Sequence, residues 1–264
     1  MQTMNMTDIK QRNLPTIESL TETVLPSLFT DSQAISEYGE SVINAESQKQ
    51  YEKLMEESAV TALSVRIERI SLALQDADPR KISKEPGWLA RFTGKHLEKQ
   101  ARYRLARDNV ESLINEGNTY LAQVRQMLDA LEALAEEYAH EIQLLRVYIE
   151  AGREFLRHAP AEPEQQELIF DKPAERLSRK LANLATLQAS HEMSLMHMKL
   201  ARVQAIDIID TFSQTIKILV PVWRQHTLAL ITTSTMNETL TSKATEAHHA
   251  LMDSLHKSLE GAKK

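Results

Sequence analysis

The sequence predicts an all-α protein, folded as an elongated antiparallel bundle of long, coiled-coil-like helices. Three observations predict this class. The 264 residues include only 6 glycines and 8 prolines, too few for a loop-rich fold or for an open parallel sheet with many tight turns. Apolar residues recur at helical spacing along most of the chain. No segment shows a convincing strand pattern.

Composition excludes several functional classes. The chain carries 37 acidic and 31 basic residues, for a net charge of −6, and it has no cysteine. Bulk charge therefore argues against nucleic-acid binding, and disulfides and thiolate metal sites are excluded. The N-terminus lacks a targeting signal, and no apolar run reaches the roughly 18 residues of a membrane span. We expect a cytoplasmic protein, with peripheral membrane contact as an open alternative.

The pattern along the chain predicts a flexible N-terminal arm over residues 1–31, with room for one helical turn around Ile17–Leu25, and a single elongated helical bundle over residues 32–264. Asp31 or Ser32 is a good N-cap for a first helix that runs to residue 76, interrupted only by Gly39. That helix ends before Asp78-Pro79, because the residue before proline avoids the helical region. Clusters of proline and glycine predict loops at about 77–94 and 158–172.

The strongest signal is a 4-3 ladder of apolar or glycine positions over more than six heptads, with a second apolar column beside it that is broken only by Glu141. Three apolar columns per heptad make a wide face, which needs two or more neighbouring helices. We interpret Gly117 and Gly152 in this ladder as sites of close approach by a neighbouring backbone, with a hinge as the alternative. The ladder is Val110, Ile114, Gly117, Leu121, Val124, Leu128, Leu131, Ala135, Tyr138, Ile142, Leu145, Ile149, Gly152 and Leu156.

A later helix carries a second 4-3 frame from Leu177 to Leu219, and Pro221 is expected to kink it, since no turn residues flank this proline. We expect Trp223 to fill the wedge that opens at the kink. Three polar residues interrupt the frame: Gln188, His191 and Arg202. One interpretation is a polar layer buried in the core. The interpretation that we favour is a stutter, a local shift in the heptad repeat, which places Leu187 and Leu200 in the core and leaves the three polar residues on the surface.

Two groups of histidine and methionine were considered as metal sites. The run from His191 to Lys199 offers soft ligands for Cu(I) or Ag(I), but His191 and Met198 lie off the helical face that Met193 and His197 share. Methionine also commonly fills gaps in helical cores. His248, Met252 and His256 share a face that we interpret as solvated. The sequence therefore predicts no metal and no cofactor.

A basic stretch surrounds the first predicted loop. It contains Arg80, Lys81, Lys84, Arg91, Lys95, Lys99, Arg102, Arg104 and Arg107, opposed only by Glu85 and Glu98. Within it, Trp88, Phe92, Arg91, Lys95 and Lys99 are a candidate contact for an anionic membrane or an acidic partner. The alternative is a Trp88 that packs on the bundle end beside a solvated basic face.

No catalytic arrangement is visible: phosphate-binding and nucleophile-elbow motifs are absent. We therefore expect a protein that is not an enzyme.

Several segments, in this order, resemble the TelA/KlaA toxic-anion-resistance family: Gly87–Gly94 with its tryptophan, Asp108-Asn109 near the start of the long helix, Tyr148-Ile149 near its end, and Pro221-x-Trp223-x-Gln225. The resemblance covers roughly residues 50–260. It implies a role in resistance to tellurite or related stresses, with other stress-resistance proteins or further copies of the chain as partners. It implies no catalytic residues.

Three functions are considered as hypotheses, and one of them, an enzyme that reduces an oxyanion, is disfavoured because the chain has no cysteine and no cofactor motif. The first is a TelA-like, non-enzymatic helical scaffold or binding protein. The alternative is a subunit of a helical pore-forming toxin, with a latent membrane-active segment near residues 206–231. Two aspartates and Pro221 in that segment argue against easy insertion.

Overall fold

A computed structural model of the chain describes residues 15–30, 34–56, 59–83, 95–158, 172–232 and 238–262. Within these ranges the chain forms helices and turns and no strand, which confirms the all-α class. Contacts divide the chain into two compact units. The first unit contains Met1–Met55 and Leu131–Lys199, and the second contains Glu56–Ala130 and Leu200–Lys264. The sequence had predicted a single domain from residue 32 onwards.

The N-terminal part of the first unit differs from the predicted arm. Residues 17–30 are helical throughout, as α1 (Ile17–Ser19), a π-helical segment (Leu20–Val24) and α2 (Leu25–Thr30). Thr16 caps α1, and its hydroxyl accepts a hydrogen bond from the Ser19 amide. Leu20 and Leu25 are buried in the core of the unit. Burial of such leucines offsets the entropy of ordering the segment.

The helix predicted from residue 32 to 76 is shorter and divided. Short 3-10 turns occupy Ala34–Glu37 and Glu40–Val42, and only then follow α3 (Ala45–Glu56) and α4 (Ala59–Asp76). Gly39 lies between the turns with a φ of 76°, a left-handed conformation that glycine adopts without penalty. A Cβ there would also lie 2.9 Å from Leu184. Gly39 therefore ends the turn instead of continuing a helix.

The first predicted loop begins with structure. Asp78-Pro79 ends α4 as expected, but α5 (Pro79–Ser83) follows at once, since proline is well suited to the first helical position. The rest of that loop, and most of the loop predicted at 158–172, lie outside the described residues.

The long ladder forms α6 (Lys95–His158), a continuous helix of 64 residues. Every ladder position is buried or half-buried, so the predicted face is confirmed. Leu128 is only half-buried, whereas Val124 and Leu131 are buried.

The second frame forms α7 (Pro173–Gln214). A π-helical segment (Thr215–Leu219), α8 (Val220–Thr232) and α9 (Glu238–Ala262) complete the described chain. Among the described residues, no helix combines the length and the apolar character that crossing a membrane requires.

Helices α6 and α7 contribute to both units and run antiparallel within each. In the first unit Gly152 faces Leu181 and Glu141 lies beside His191. In the second unit Gly117 faces Phe212. The close approaches at Gly117 and Gly152 are therefore made by neighbouring side chains, not by the neighbouring backbone that the sequence suggested.

Candidate functional site

A groove of about 560 Å³ in the second unit is the candidate functional site. The end of α4, the turn after it, α5 and the first part of α6 form its walls. It is lined by Ala73, Asp76, Ala77, Lys81, Ile82, Arg102, Leu105, Ala106 and Asn109. Lys81 and Arg102 come from the basic stretch, and Asn109 belongs to one of the segments that carried the family resemblance.

Local sequence explains the shape of the groove. Asp78-Pro79 stops α4, and the Ile82 amide donates to the Asp78 carbonyl over 3.1 Å, which closes the first turn of α5. Three alanines in the lining leave space where larger side chains would fill it. Leu105 on α6 is 75 % exposed and adds an apolar side chain to the groove.

Trp223 fixes one wall of the groove. Its indole Nε1 donates a hydrogen bond of 2.8 Å to the carbonyl oxygen of Ala77, and its ring lies 5.8 Å from that of Tyr103 on α6. The side chain is almost completely buried, where the sequence analysis expected a buried ring. Its partners belong to neighbouring elements, so Trp223 joins α8 to the turn that lines the groove.

Pro221 lies within a continuous helical path. The preceding π-helical segment ends with the Val220 amide bonded to the Thr215 carbonyl, five residues back. A proline lacks an N–H and its ring clashes with the carbonyl four residues earlier, and a π turn is one way in which helices absorb such a disruption. The chain continues past Pro221 as α8 instead of ending there, and a kink at this proline stays a prediction.

The other predicted contact residues are only partly described. Trp88, Arg91 and Phe92 lie outside the described residues. Lys95 is the first residue of α6, and Lys99 is half-buried one turn later. The structure thus brings Lys81, Arg102 and Asn109 together in one groove and leaves the aromatic part of the predicted contact untested.

The groove has the chemistry of a binding site. Lys81, Arg102 and Asn109 supply hydrogen-bond donors, and Ile82, Leu105 and the alanines supply apolar surface. The charge of Arg102 is shared with Glu98, one turn earlier on α6, and Asp76 adds one carboxylate to the rim. Such a lining suits a ligand that joins an anionic group to an apolar body.

A second polar cluster is buried in the core of the first unit. Glu141 of α6 and His191 of α7 are only 6 % and 3 % exposed, and Glu141 Oε2 lies 3.2 Å from His191 Nδ1. The Tyr138 ring packs 4.8 Å from the imidazole. Neither ring nitrogen of His191 has a well-aligned hydrogen-bond partner among the described residues.

Burial perturbs both groups of this cluster. It raises the pKa of Glu141 to about 7. The Ser47 hydroxyl, which donates a hydrogen bond of 2.9 Å to Glu137, acts to lower the pKa of Glu141, and the charge of Glu137 raises it further. Burial also lowers the pKa of His191. In each case desolvation disfavours the charged form.

The stutter favoured from sequence is wrong at His191 and Leu200. His191 is buried, Leu200 is exposed, and Arg202 is exposed as the stutter required. Glu141 was the one polar residue in its apolar column on α6. Its carboxyl group faces His191 on α7, and an ionisable partner offsets part of the free-energy cost of burying the imidazole. Glu141 and His191 each interrupt an apolar pattern, and the sequence analysis did not consider that they could face each other.

The solvated face assigned to α9 is also wrong in part. His248 and Met252 are buried, and only His256 is exposed. Among the described residues, no three His, Asp or Glu side chains are grouped so that they could hold a metal ion.

Comparison with known proteins identifies a relative. Protein KlaA of Escherichia coli is 49 % identical over 240 residues, which cover 90 % of this chain and 93 % of KlaA. No family model and no solved structure matches the chain. An identity of this size over nearly the full length of both proteins shows common descent, and the chain therefore belongs to the KlaA family.

Proposed function

We propose that the chain is a TelA-type resistance protein, which protects cells against tellurite and related toxic anions as a non-enzymatic helical scaffold or binding protein. The observation that carries this proposal is the 49 % identity to KlaA over 93 % of that protein. The TelA resemblance, carried by Asp108-Asn109, Tyr148-Ile149 and Pro221-x-Trp223-x-Gln225, supplies the link from KlaA to toxic-anion resistance.

The groove of the second unit supports a binding role. Its donors, Lys81, Arg102 and Asn109, lie beside exposed Leu105, which matches an acidic segment of a partner protein that also carries an apolar residue. We propose that this partner is another stress-resistance protein or a second copy of the chain. The cytoplasm, with peripheral contact to anionic membranes, is the proposed location.

A resistance assay tests the proposed function. The gene is deleted with its neighbouring genes left in place, and the minimum inhibitory concentration of tellurite is measured. We expect sensitivity to rise on deletion and to return to normal when the wild-type gene is restored. Unchanged tellurite sensitivity in the deletion strain would refute the proposal.

Two variants test whether the cations of the groove, and not cations elsewhere in the second unit, are required for resistance. Lys81→Gln with Arg102→Gln removes the groove cations, whereas Arg125→Gln removes an exposed cation of the second unit that does not line the groove. If the groove is the binding site, the double variant fails to restore resistance and Arg125→Gln restores it. Equal behaviour of the two variants, at equal protein levels, would exclude the groove.

A further inference from the structure

The run from His191 to Lys199 is divided by the fold into two sets of side chains. His191 and Met198 are buried in the core, but Met193 is 59 % exposed and Met196 is 70 % exposed. Of the three methionines in this run, only Met198 fills a gap in the core. Two large thioethers lie on the solvent face of α7, next to an exposed histidine, His197.

Helix geometry brings the three exposed side chains together. Met196 and His197 follow Met193 by three and four residues, the two spacings at which side chains on a helix are neighbours, with Cβ atoms about 5–6 Å apart. Side chains on a helix lean towards its N-terminus. Met196 and His197 therefore both lean towards the turn that carries Met193, and the unbranched methionine chains can adjust to a shared ligand.

The imidazole of His197 is already oriented. Its Nδ1 lies 3.2 Å from the hydroxyl of Tyr51 on α3. A metal-binding histidine generally uses its second nitrogen in a hydrogen bond of this kind, which fixes the ring. When Nδ1 carries the proton and donates it to the Tyr51 hydroxyl, Nε2 is unprotonated and can serve as the ligand atom.

We propose that Met193, Met196 and His197 form a binding site for a soft monovalent d10 cation, Cu(I) or Ag(I), on the exposed face of α7. The two thioethers favour such soft ions over harder divalent cations, and imidazole is also a copper ligand. The chain has no cysteine, so no thiolate competes for the ion. This inference goes beyond toxic-anion resistance, and its test does not depend on that function.

Titration of the full-length protein with Ag(I), a redox-inert probe, tests the site. We expect isothermal titration calorimetry to show binding that is weakened at least tenfold by Met193→Leu with Met196→Leu, since leucine keeps the apolar volume and removes the sulfur. His197→Gln should weaken binding as well. Circular dichroism of each variant checks that the helices are intact.

Matched methionines supply the controls. Met55 is exposed in the same unit, and Met55→Leu should bind Ag(I) as the wild type does. Met4→Leu with Met6→Leu tests a second group of methionines in the sequence, which lies outside the described residues, and should also leave the site intact. Wild-type affinity in the Met193/Met196 variant would overturn the proposal.

Carbon-13 labelling of methionine methyl groups locates the ion directly. The ε-methyl signals of Met193 and Met196 should shift on addition of Ag(I), while that of buried Met198 stays in place. A titration in which only other methionine signals shift, or in which Zn(II) binds more tightly than Ag(I), would also overturn the assignment.

Discussion

The indole nitrogen of Trp223 donates a hydrogen bond to the backbone carbonyl of Ala77, over 2.8 Å. The two residues are 146 positions apart in sequence, and Ala77 lines the candidate groove. A buried indole N–H needs such a partner. The bond therefore couples the stability of α8 to the shape of the groove.

Trp223→Ala should destabilise the protein by roughly 3–5 kcal/mol, the range for truncation of a buried large aromatic residue. Trp223→Phe should cost less, because it keeps much of the ring and loses the hydrogen bond to Ala77. Urea denaturation measures the loss of stability in both variants.

Fluorescence quenching tests the burial of Trp223 directly. In a Trp88→Phe background Trp223 is the only indole, and iodide should quench its fluorescence only weakly. Rapid quenching would show that the ring is exposed.

Val124→Asp should be more destabilising than Leu128→Asp. Both residues belong to the ladder and to the second unit, but Val124 is fully buried and Leu128 is half-buried. A carboxylate at position 124 would be an unpaired buried charge, at a cost of several kcal/mol. Thermal melts followed by circular dichroism compare the two, and equal melting temperatures would contradict the assigned burial.

Gly117→Ala should destabilise the protein even though alanine favours a helix by about 1 kcal/mol. The added Cβ would lie 2.6 Å from the ring of Phe212, which is fully buried, and overpacking of this kind costs about 1–3 kcal/mol. Phe212→Leu in the same chain should recover part of the loss. At Gly152 the added Cβ meets the flexible end of Leu181, so Gly152→Ala should destabilise the protein less than Gly117→Ala. Thermal melts compare the two variants, and a stabilising effect of Gly117→Ala would contradict the packing of Gly117 against Phe212.

Glu141 should make stability depend on pH. Its pKa is raised to about 7 in the folded state from 4.5, so the folded state binds more protons between these values and stability falls as pH rises through this range. Glu141→Gln removes this contribution to the pH dependence of the free energy of unfolding. The variant should therefore lose less stability than the wild type from pH 5 to 7, with a difference in slope of at most about 1.4 kcal/mol per pH unit.

His191 contributes with the opposite sign. Its pKa is lowered by burial, so the unfolded state binds the extra proton and stability is lost as pH falls below the ordinary value of 6.5. His191→Gln should reduce that loss at acid pH. Chemical denaturation at a series of pH values separates the two groups, and parallel curves for the wild type and both variants would show that neither is perturbed.

The basic stretch gives a prediction that rests on sequence alone. If Arg91, Lys95 and Lys99 contact anionic membranes, changing all three to Gln should weaken co-sedimentation with anionic vesicles. Added salt should weaken the wild type as well, because exposed charges are screened within about 10 Å at 0.1 M. Absence of wild-type co-sedimentation at low salt would remove the membrane contact from the proposal.

The sequence by itself determined the helical class, the long face of α6 and the frame of α7. These depend on the spacing of apolar residues along one helix, and the period of 3.6 residues is a local property. The end of α4 before Asp78-Pro79 was determined in the same way, because proline acts on its immediate neighbours.

Tertiary structure alone decided which polar and apolar residues fit their neighbours. Glu141 and His191 are each an interruption in their own helix, and they become a pair only when α6 and α7 pack antiparallel in the first unit. Within residues 17–30 the sequence indicated no more than one helical turn, around Ile17–Leu25, and burial of leucines against the core of that unit orders the whole segment as helix. Met193 and Leu200 lie on the solvent face of α7, which the sequence did not predict for Leu200, because the period of one helix does not specify which of its faces meets a partner.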